Sequence, residues 1–370
     1  MFASRFPREG RDNNFQLIRM AAALAVVTTH SFSIVSGRLD SEPLAASLGH
    51  SLGNYAVDVF FVLSGVLVTQ SLFRDDGLVR FAISRFLRIV PGLVLVVLGS
   101  AFVLGPIVST LSPADYFGDP ALPRYLIGAL TTLSTDLALP GVFQNLPEAA
   151  RVNVPIWTLK YEIAAYVSLG ALVFATAALG LRAIVFAACG AVAFYILCRL
   201  ALPWPSSGGA TSNALHFFLS FYLGAAAYAL RSHVRLSLAG VAILTALAIA
   251  AFPTPAREVF EAVALAYTIL WLAFLPRFAS GLIDRMGDYS FGLYIFAYPV
   301  QQTIRLVAPD IDPIPLLGWA LLVTVPLAVM SWHLVEHPFL QRRDALVAAI
   351  SRLKRNEPRV LSRKAPREQS

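Results

Sequence analysis

Two ionisable residues interrupt the first long apolar run of the sequence, Arg19 and His30 within Phe15 to Ser33. On a helix, eleven positions place them roughly 16 Å apart along the axis and about 20° apart around it, so they share one face. An arginine at bilayer depth costs at least about 2.5 kcal/mol and therefore faces a protein interior or an aqueous cavity. A histidine beside a carboxylate can take a proton from a hydroxyl nucleophile. Two carboxylates lie in comparable surroundings, Asp58 in NYAVDVFFVLSGVLV and Glu162 in PIWTLKYEIAAY. Arg85 and Arg88 in SRFLRIVP join Arg19 as a guanidinium set suited to phosphates, which arginine binds bidentately. Each residue also has a plainer reading. Arg19 can snorkel, His30 can be a packing residue, Arg85 and Arg88 can anchor the positive side of a membrane helix, and Asp58 can cap one.

The elements that must hold these groups are membrane helices. The chain has 370 residues, of which 57% are hydrophobic and 14% charged, with a mean hydropathy of +0.67, which excludes an ordinary water-soluble globule. A span needs about 20 mostly apolar residues, and ten runs qualify: 15–35, 54–73, 89–109, 156–178, 181–201, 213–231, 236–252, 258–276, 288–308 and 314–335. The fold expected is an all-α integral membrane bundle. The stretch 121–139 is an eleventh candidate, but its Thr, Ser and Asp content reads as an interfacial or re-entrant helix. The first run lacks a small-residue cleavage site, so it is expected to stay in the mature protein.

Arginine placement orients the bundle, because cytoplasmic loops are enriched in Lys and Arg. Ten spans with both termini inside put Arg5, Arg8 and Arg11, the loop Arg74 to Arg88, Arg182, Arg231 with Arg235, Arg277 with Arg285 and the tail from Arg342 on one side. Three segments follow: a cytoplasmic lead 1–12, a membrane domain 13–340 and a basic tail 341–370. The net charge of +7 is then a topology signal, and the tail suits anionic lipid rather than nucleic acid. Cys189 and Cys198 share one helix, which argues against a structural disulfide. On this map His30, Asp58 and Glu162 form a layer just under the outer face, and Arg19, Arg85 and Arg88 line the cytoplasmic side. A phosphate-bearing donor inside and an acceptor hydroxyl outside would use both layers, with Glu162 or Asp58 orienting His30 or binding the acceptor.

Six blocks in order carry a resemblance: Arg19 with His30, VDVFFVLSGVLV at 57–68, SRFLRIVPGL at 84–93, IWTLKYEIAAY at 156–166, YSFGLYIFAYPVQQ at 289–302 and WHLVEHPF at 332–339. Across roughly 15 to 340 the chain is similar to the acyltransferase-3 family of membrane O-acyltransferases. The resemblance implies transfer of an acyl group, usually acetyl from acetyl-CoA, to a sugar hydroxyl of a surface or exported glycan at a bacterial-type inner membrane. It implies that His30 is the catalytic base and Arg19 its partner, that Arg85 and Arg88 are the paired cytoplasmic arginines, and that Glu162 is the acidic residue of its block. Many members have a histidine in the late block where this chain has Ala297, followed by Tyr298, Pro299, Gln301 and Gln302. That leaves the weight on His30. No hydrolase-like domain is appended, so transfer is expected within the membrane domain.

Trp157, on the helix of Glu162, could stack on a sugar ring, and Tyr294 and Gln301 are further candidate substrate contacts, although Trp and Tyr also gather at membrane interfaces. His333, Glu336 and His337 have the H-x-x-E-H spacing of a metal motif, but Pro338 follows at once and no third ligand is near, so no metal is expected. His50 in the first outer loop and His216 and His233 further on read as loop or helix residues. Two rival readings stand beside the acyltransferase: an exporter of an anionic glycan or lipid-linked sugar with the arginines along its path, and a zinc hydrolase built on His333 and His337.

Overall fold

The computed structural model describes residues 4–5, 13–38, 40–74, 77–134, 137–201, 209–252, 254, 256–276 and 286–356. Most of the lead 1–12, the pair Arg277 and Arg285 and the tail beyond 356 lie outside the described residues. Each of the ten apolar runs holds a helix: α1 Phe15–Ser36, α2 Leu52–Arg74, α3 Leu78–Gly99, then after the short α4 Ala121–Thr131, α5 Leu159–Ala175, α6 Leu181–Ala201, α7 Ala210–Ala229, α8 Leu238–Ala250, α9 Arg257–Ala273, α10 Ser290–Val307 and α11 Pro313–Ser331. A basic helix α12, Arg343–Asn356, follows. Among the described residues six helices are long and apolar enough to cross a membrane: Phe15–Ser36, Leu52–Phe73, Leu78–Val108, Val154–Ala175, Leu181–Leu200 and Pro313–Ile350. α4 has 11 residues, about 16 Å of helix, too short for a hydrocarbon core of about 30 Å. It is not a span.

Local chemistry sets the helix ends. α1 stops at Gly37, whose φ of 73° lets its N–H reach the Ser33 carbonyl, a left-handed closure that glycine makes without steric cost. α3 runs on through a π turn, Ser100–Leu104, to Val108, and the Tyr116 hydroxyl donates to the Ala101 carbonyl at 2.7 Å, satisfying a group that a π turn displaces. The only strand pairing among the described residues joins Ser4–Arg5 to Arg235–Leu236. It ties the basic lead to the basic α7–α8 connection, placing both on one side.

Two contacts fix the helices that carry the candidate residues. α2 and α7 cross with backbones touching: a Cβ on Gly65 would lie 2.0 Å from the Phe221 carbonyl oxygen, and one on Gly224 would lie 2.1 Å from that of Val62. Small residues permit such an approach in a membrane bundle. α10 is latched to α1 by Gln301, whose amide donates to the Val27 carbonyl and the Ser31 hydroxyl at 2.8 and 2.7 Å. The neighbouring Gln302 donates to the carbonyls of Glu148 and Arg151, so the long loop before α5 is tied to α10.

Candidate active site

A cavity of about 90 Å³ lies where α1, α2, α3, α5 and α10 meet. Arg19, Arg85, Arg88, Glu162 and Tyr294, all expected in a site, line it together. His30, Asp58, Trp157 and Gln301 do not.

A carboxylate that sequence reasoning missed organises the arginines. Asp288 lies just before α10, and its Oδ2 is 2.9 Å from Arg19 Nη1 and 2.8 Å from Arg88 Nη2. Ser290 holds the other oxygen at 2.6 Å. Arg88 also faces Glu336 at 3.6 Å, a carboxylate 1% exposed that accepts from Ser331, and its guanidinium sits beside the rings of Phe291 and Trp332. Guanidinium groups inside an apolar bundle demand counter-charge, since an unpaired buried ion costs several kcal/mol. Arg85 differs. It has no carboxylate partner among the described residues, and it lies over the Tyr166 ring at 5.8 Å; its buried Nε, like that of Arg19, makes no hydrogen bond. Tyr166 donates to Glu162 Oε1, with Ser64 Oγ at 3.5 Å from the same oxygen.

The expected outer layer is not one group. Glu162 belongs with the arginines, and Asp58 is engaged elsewhere, 2.8 Å from His216 Nε2 and 3.0 Å from Ser220 Oγ. Neither carboxylate orients His30. Residue numbers give depth along a helix but not which neighbour a side chain meets. Six positions at 100° put Asp58 and Ser64 on different faces of α2, so one turns to α7 and the other to α5. His30 meets Tyr298 edge-on, with ring centroids 5.0 Å apart, and its Nδ1 is buried without a hydrogen bond.

Phe60, Thr158 and Tyr294 form the wall of the cavity beside α10, and His30 lies outside it. The Tyr294 and Thr158 hydroxyls are 2.7 Å apart and Phe60 meets Tyr294 edge-on at 5.7 Å. Tyr298 is the next turn of α10, about 6 Å further along its axis, so the cavity and His30 are successive levels beside one helix.

The remaining candidates have structural work. Gln301 is 0% exposed and is the α10–α1 latch, with its amide nitrogen spent on α1 rather than turned to the cavity. Trp157 is half-buried against Tyr161 and Phe217. In the H-x-x-E-H segment a π turn, Trp332–Glu336, breaks the regular helical register, His333 pairs with the Tyr289 hydroxyl at 3.1 Å, and Glu336 faces Arg88. Among the described residues no cluster of three or more His, Cys, Asp or Glu is gathered for a metal. One signal pointed to Asp288 and Glu336: several arginines at membrane depth require acidic partners within reach.

The comparisons with known proteins agree with this frame. The acyltransferase-3 family, described as an acyltransferase domain, matches residues 12–333. A protein of Shigella phage Sf6 named O-acetyl transferase is 26% identical over 347 residues, covering 90% of this chain and 97% of its own length. Nodulation protein 10 of Rhizobium leguminosarum bv. viciae is 29% identical over 380 residues, covering 92% of this chain and 96% of its own. No solved structure matches. With a family match running from the lead into the π turn at the end of α11, and with its helices and buried arginines arranged as above, the chain belongs to the acyltransferase-3 family.

Proposed function

We propose that the protein is a ten-span inner-membrane enzyme, both termini cytoplasmic, that moves an acetyl group from acetyl-CoA to a sugar hydroxyl of a cell-surface or exported glycan. The observation that carries this reading is the alignment on α1: Arg19 opens a guanidinium-lined cavity, and His30 lies on the same helical face about 16 Å further out. Arg19 and Arg88, held by Asp288, retain N–H donors for the diphosphate of the donor. The thioester arm then passes the wall of Phe60, Thr158 and Tyr294 toward His30. His30 takes the acceptor hydroxyl proton as the oxygen bonds to the thioester carbonyl carbon. The C–S bond breaks, and the CoA thiolate leaves with that proton. The phage relative's name, O-acetyl transferase, supports acetyl as the group transferred.

The test is transfer of radiolabelled acetyl from acetyl-CoA to glycan in membranes bearing the wild-type or His30→Ala protein. A general base contributes about 10²- to 10⁴-fold, and the variant is expected to lose that much. Label transferred at the wild-type rate overturns the mechanism, and glycan moved across the membrane with no label transferred identifies an exporter.

A further inference from the structure

A second cavity, of about 520 Å³, lies between α3 and α5, within the roughly 300–1,000 Å³ range of ligand sites. Its walls are apolar except for Arg85 and Tyr166. Phe86, Val167 and Phe174, at its rim, are 60%, 65% and 75% exposed, so the groove opens sideways, at the depth where a membrane supplies hydrocarbon. Gly170 and Ala171 give it room, with the nearest atoms to a Cβ on Gly170 being Leu78 Cδ2 and Phe81 Cε1, each at 3.8 Å.

Arg85, Ile89 and Tyr166 line both this groove and the arginine cavity. Those three side chains face both. Arg85 is also the cavity arginine without a carboxylate among the described residues, while Arg19 and Arg88 are tied to Asp288. A guanidinium of this kind at the inner wall of an apolar groove matches one ligand chemistry, a phosphate carried on a long hydrocarbon chain. A water-soluble phosphate has no use for the groove, and a neutral lipid has none for the guanidinium.

We infer that this groove is a lateral lipid site, in which the phosphate of a membrane lipid meets Arg85 and its chain runs out between α3 and α5. The assignment separates Arg85 from the donor-binding arginines with which the family resemblance grouped it. Tyr166, bonded to Glu162 and lying under Arg85, stands between that phosphate and the arginine cavity.

The full-length protein in phosphatidylcholine nanodiscs is exposed to a long-chain alkyl phosphate bearing a diazirine at its chain end, and crosslinks are mapped by mass spectrometry. Labelling is expected in segments 78–90 and 163–174, roughly 10- to 100-fold above that by the matching neutral alcohol. Arg85→Gln is expected to erase the preference for phosphate over alcohol. Gly170→Leu and Ala171→Phe, which fill the groove, are expected to abolish groove labelling by both, with monodispersity and acetyl-CoA binding confirming that each variant is folded. Labelling spread evenly over other helices such as α6, or unchanged in all three variants, overturns the site. So does full competition by inorganic phosphate, which would show an anion site indifferent to the chain. Groove labelling as expected, with acetyl transfer unaffected by His30→Ala, would leave the lipid site standing while the transfer mechanism falls. Acetyl transfer lost in His30→Ala, with no groove labelling in the wild type, would do the reverse.

Discussion

The Tyr294–Thr158 hydroxyl pair at the cavity wall makes a quantitative prediction for Tyr294→Phe. The substitution removes one hydroxyl and keeps the ring that meets Phe60. Thr158 is not orphaned, because its hydroxyl also donates to the Pro155 carbonyl at 3.2 Å. The change therefore deletes the 2.7 Å hydroxyl pair with little desolvation cost, and such a bond is worth about 0.5–1.5 kcal/mol net. If the pair latches the passage, its loss raises the open population by roughly 2- to 13-fold. A cysteine at position 30 reads this out: with Cys189 and Cys198, both free, replaced by serine, His30→Cys is labelled from the arginine side with a small anionic thiosulfonate. Adding Tyr294→Phe should speed labelling within that range. A rate that stays the same or falls refutes the latch and returns Tyr294 to its expected role as a substrate contact.

Other consequences are as direct. Asp288→Asn strands two guanidinium groups, and removing one partner of a buried pair costs about 3–5 kcal/mol; the Tm in detergent should fall, and Arg88→Gln added to it should cost less than the sum of the singles, which a double-mutant cycle measures. Gly224→Ala sets a Cβ 2.1 Å from the Val62 carbonyl oxygen, so α2 and α7 must separate; loss of a monodisperse peak is expected, with Gly190→Ala, which meets nothing within 4 Å, as the control. In the loop before α5, burial raises the Glu148 carboxyl above its ordinary value, more than Arg151 lowers it. A raised folded-state pKa gives stability that is complete below the unfolded carboxyl value of about 4.3 and is lost as pH rises through the higher folded value. Glu148→Gln keeps the backbone carbonyl that Gln302 uses and should flatten that part of the Tm–pH curve, and a curve of unchanged slope would show that Glu148 is not its source.

Much of the frame was legible because bilayer physics writes itself into runs of apolar residues. α1, α2, α5 and α6 begin and end close to where hydropathy and arginine placement put them, α3 begins at Leu78, eleven residues before the expected 89, because its first turns carry the arginines that a hydropathy run leaves out, and α4 is short for the polar reasons its sequence displays. Arg19, Arg85, Arg88, Glu162 and Tyr294 were picked from their residue types at membrane depth, and one cavity gathers all five. The partners were not legible. Asp58 was paired with His30 on shared depth, yet it meets His216 on α7, because helix order in space is set by packing such as the Gly65 and Gly224 crossing, which leaves no mark in hydropathy. Gln301 read as a polar contact for sugar, but a polar group in an apolar bundle must first satisfy itself, and the α1 backbone is what satisfies it. Asp288 was passed over because it opens an apolar run and looks like a boundary residue until the arginines around it are counted.

Counting them alters how the site would bind an anion. Arg19, Arg85 and Arg88 face Asp288, Glu162 and Glu336, three positive groups against three acidic ones, so the cavity is not a bare well of positive charge. Its selectivity must then come from direction. Asp288 fixes two guanidinium planes with one oxygen, leaving N–H donors on both aimed by a rigid support, and pre-aimed donors cost a ligand no reorganisation. Arg85, with no carboxylate partner among the described residues, is set against an aromatic ring instead. A donor held by the fixed pair and a lipid phosphate held by Arg85 could occupy the two sides of Tyr166 together.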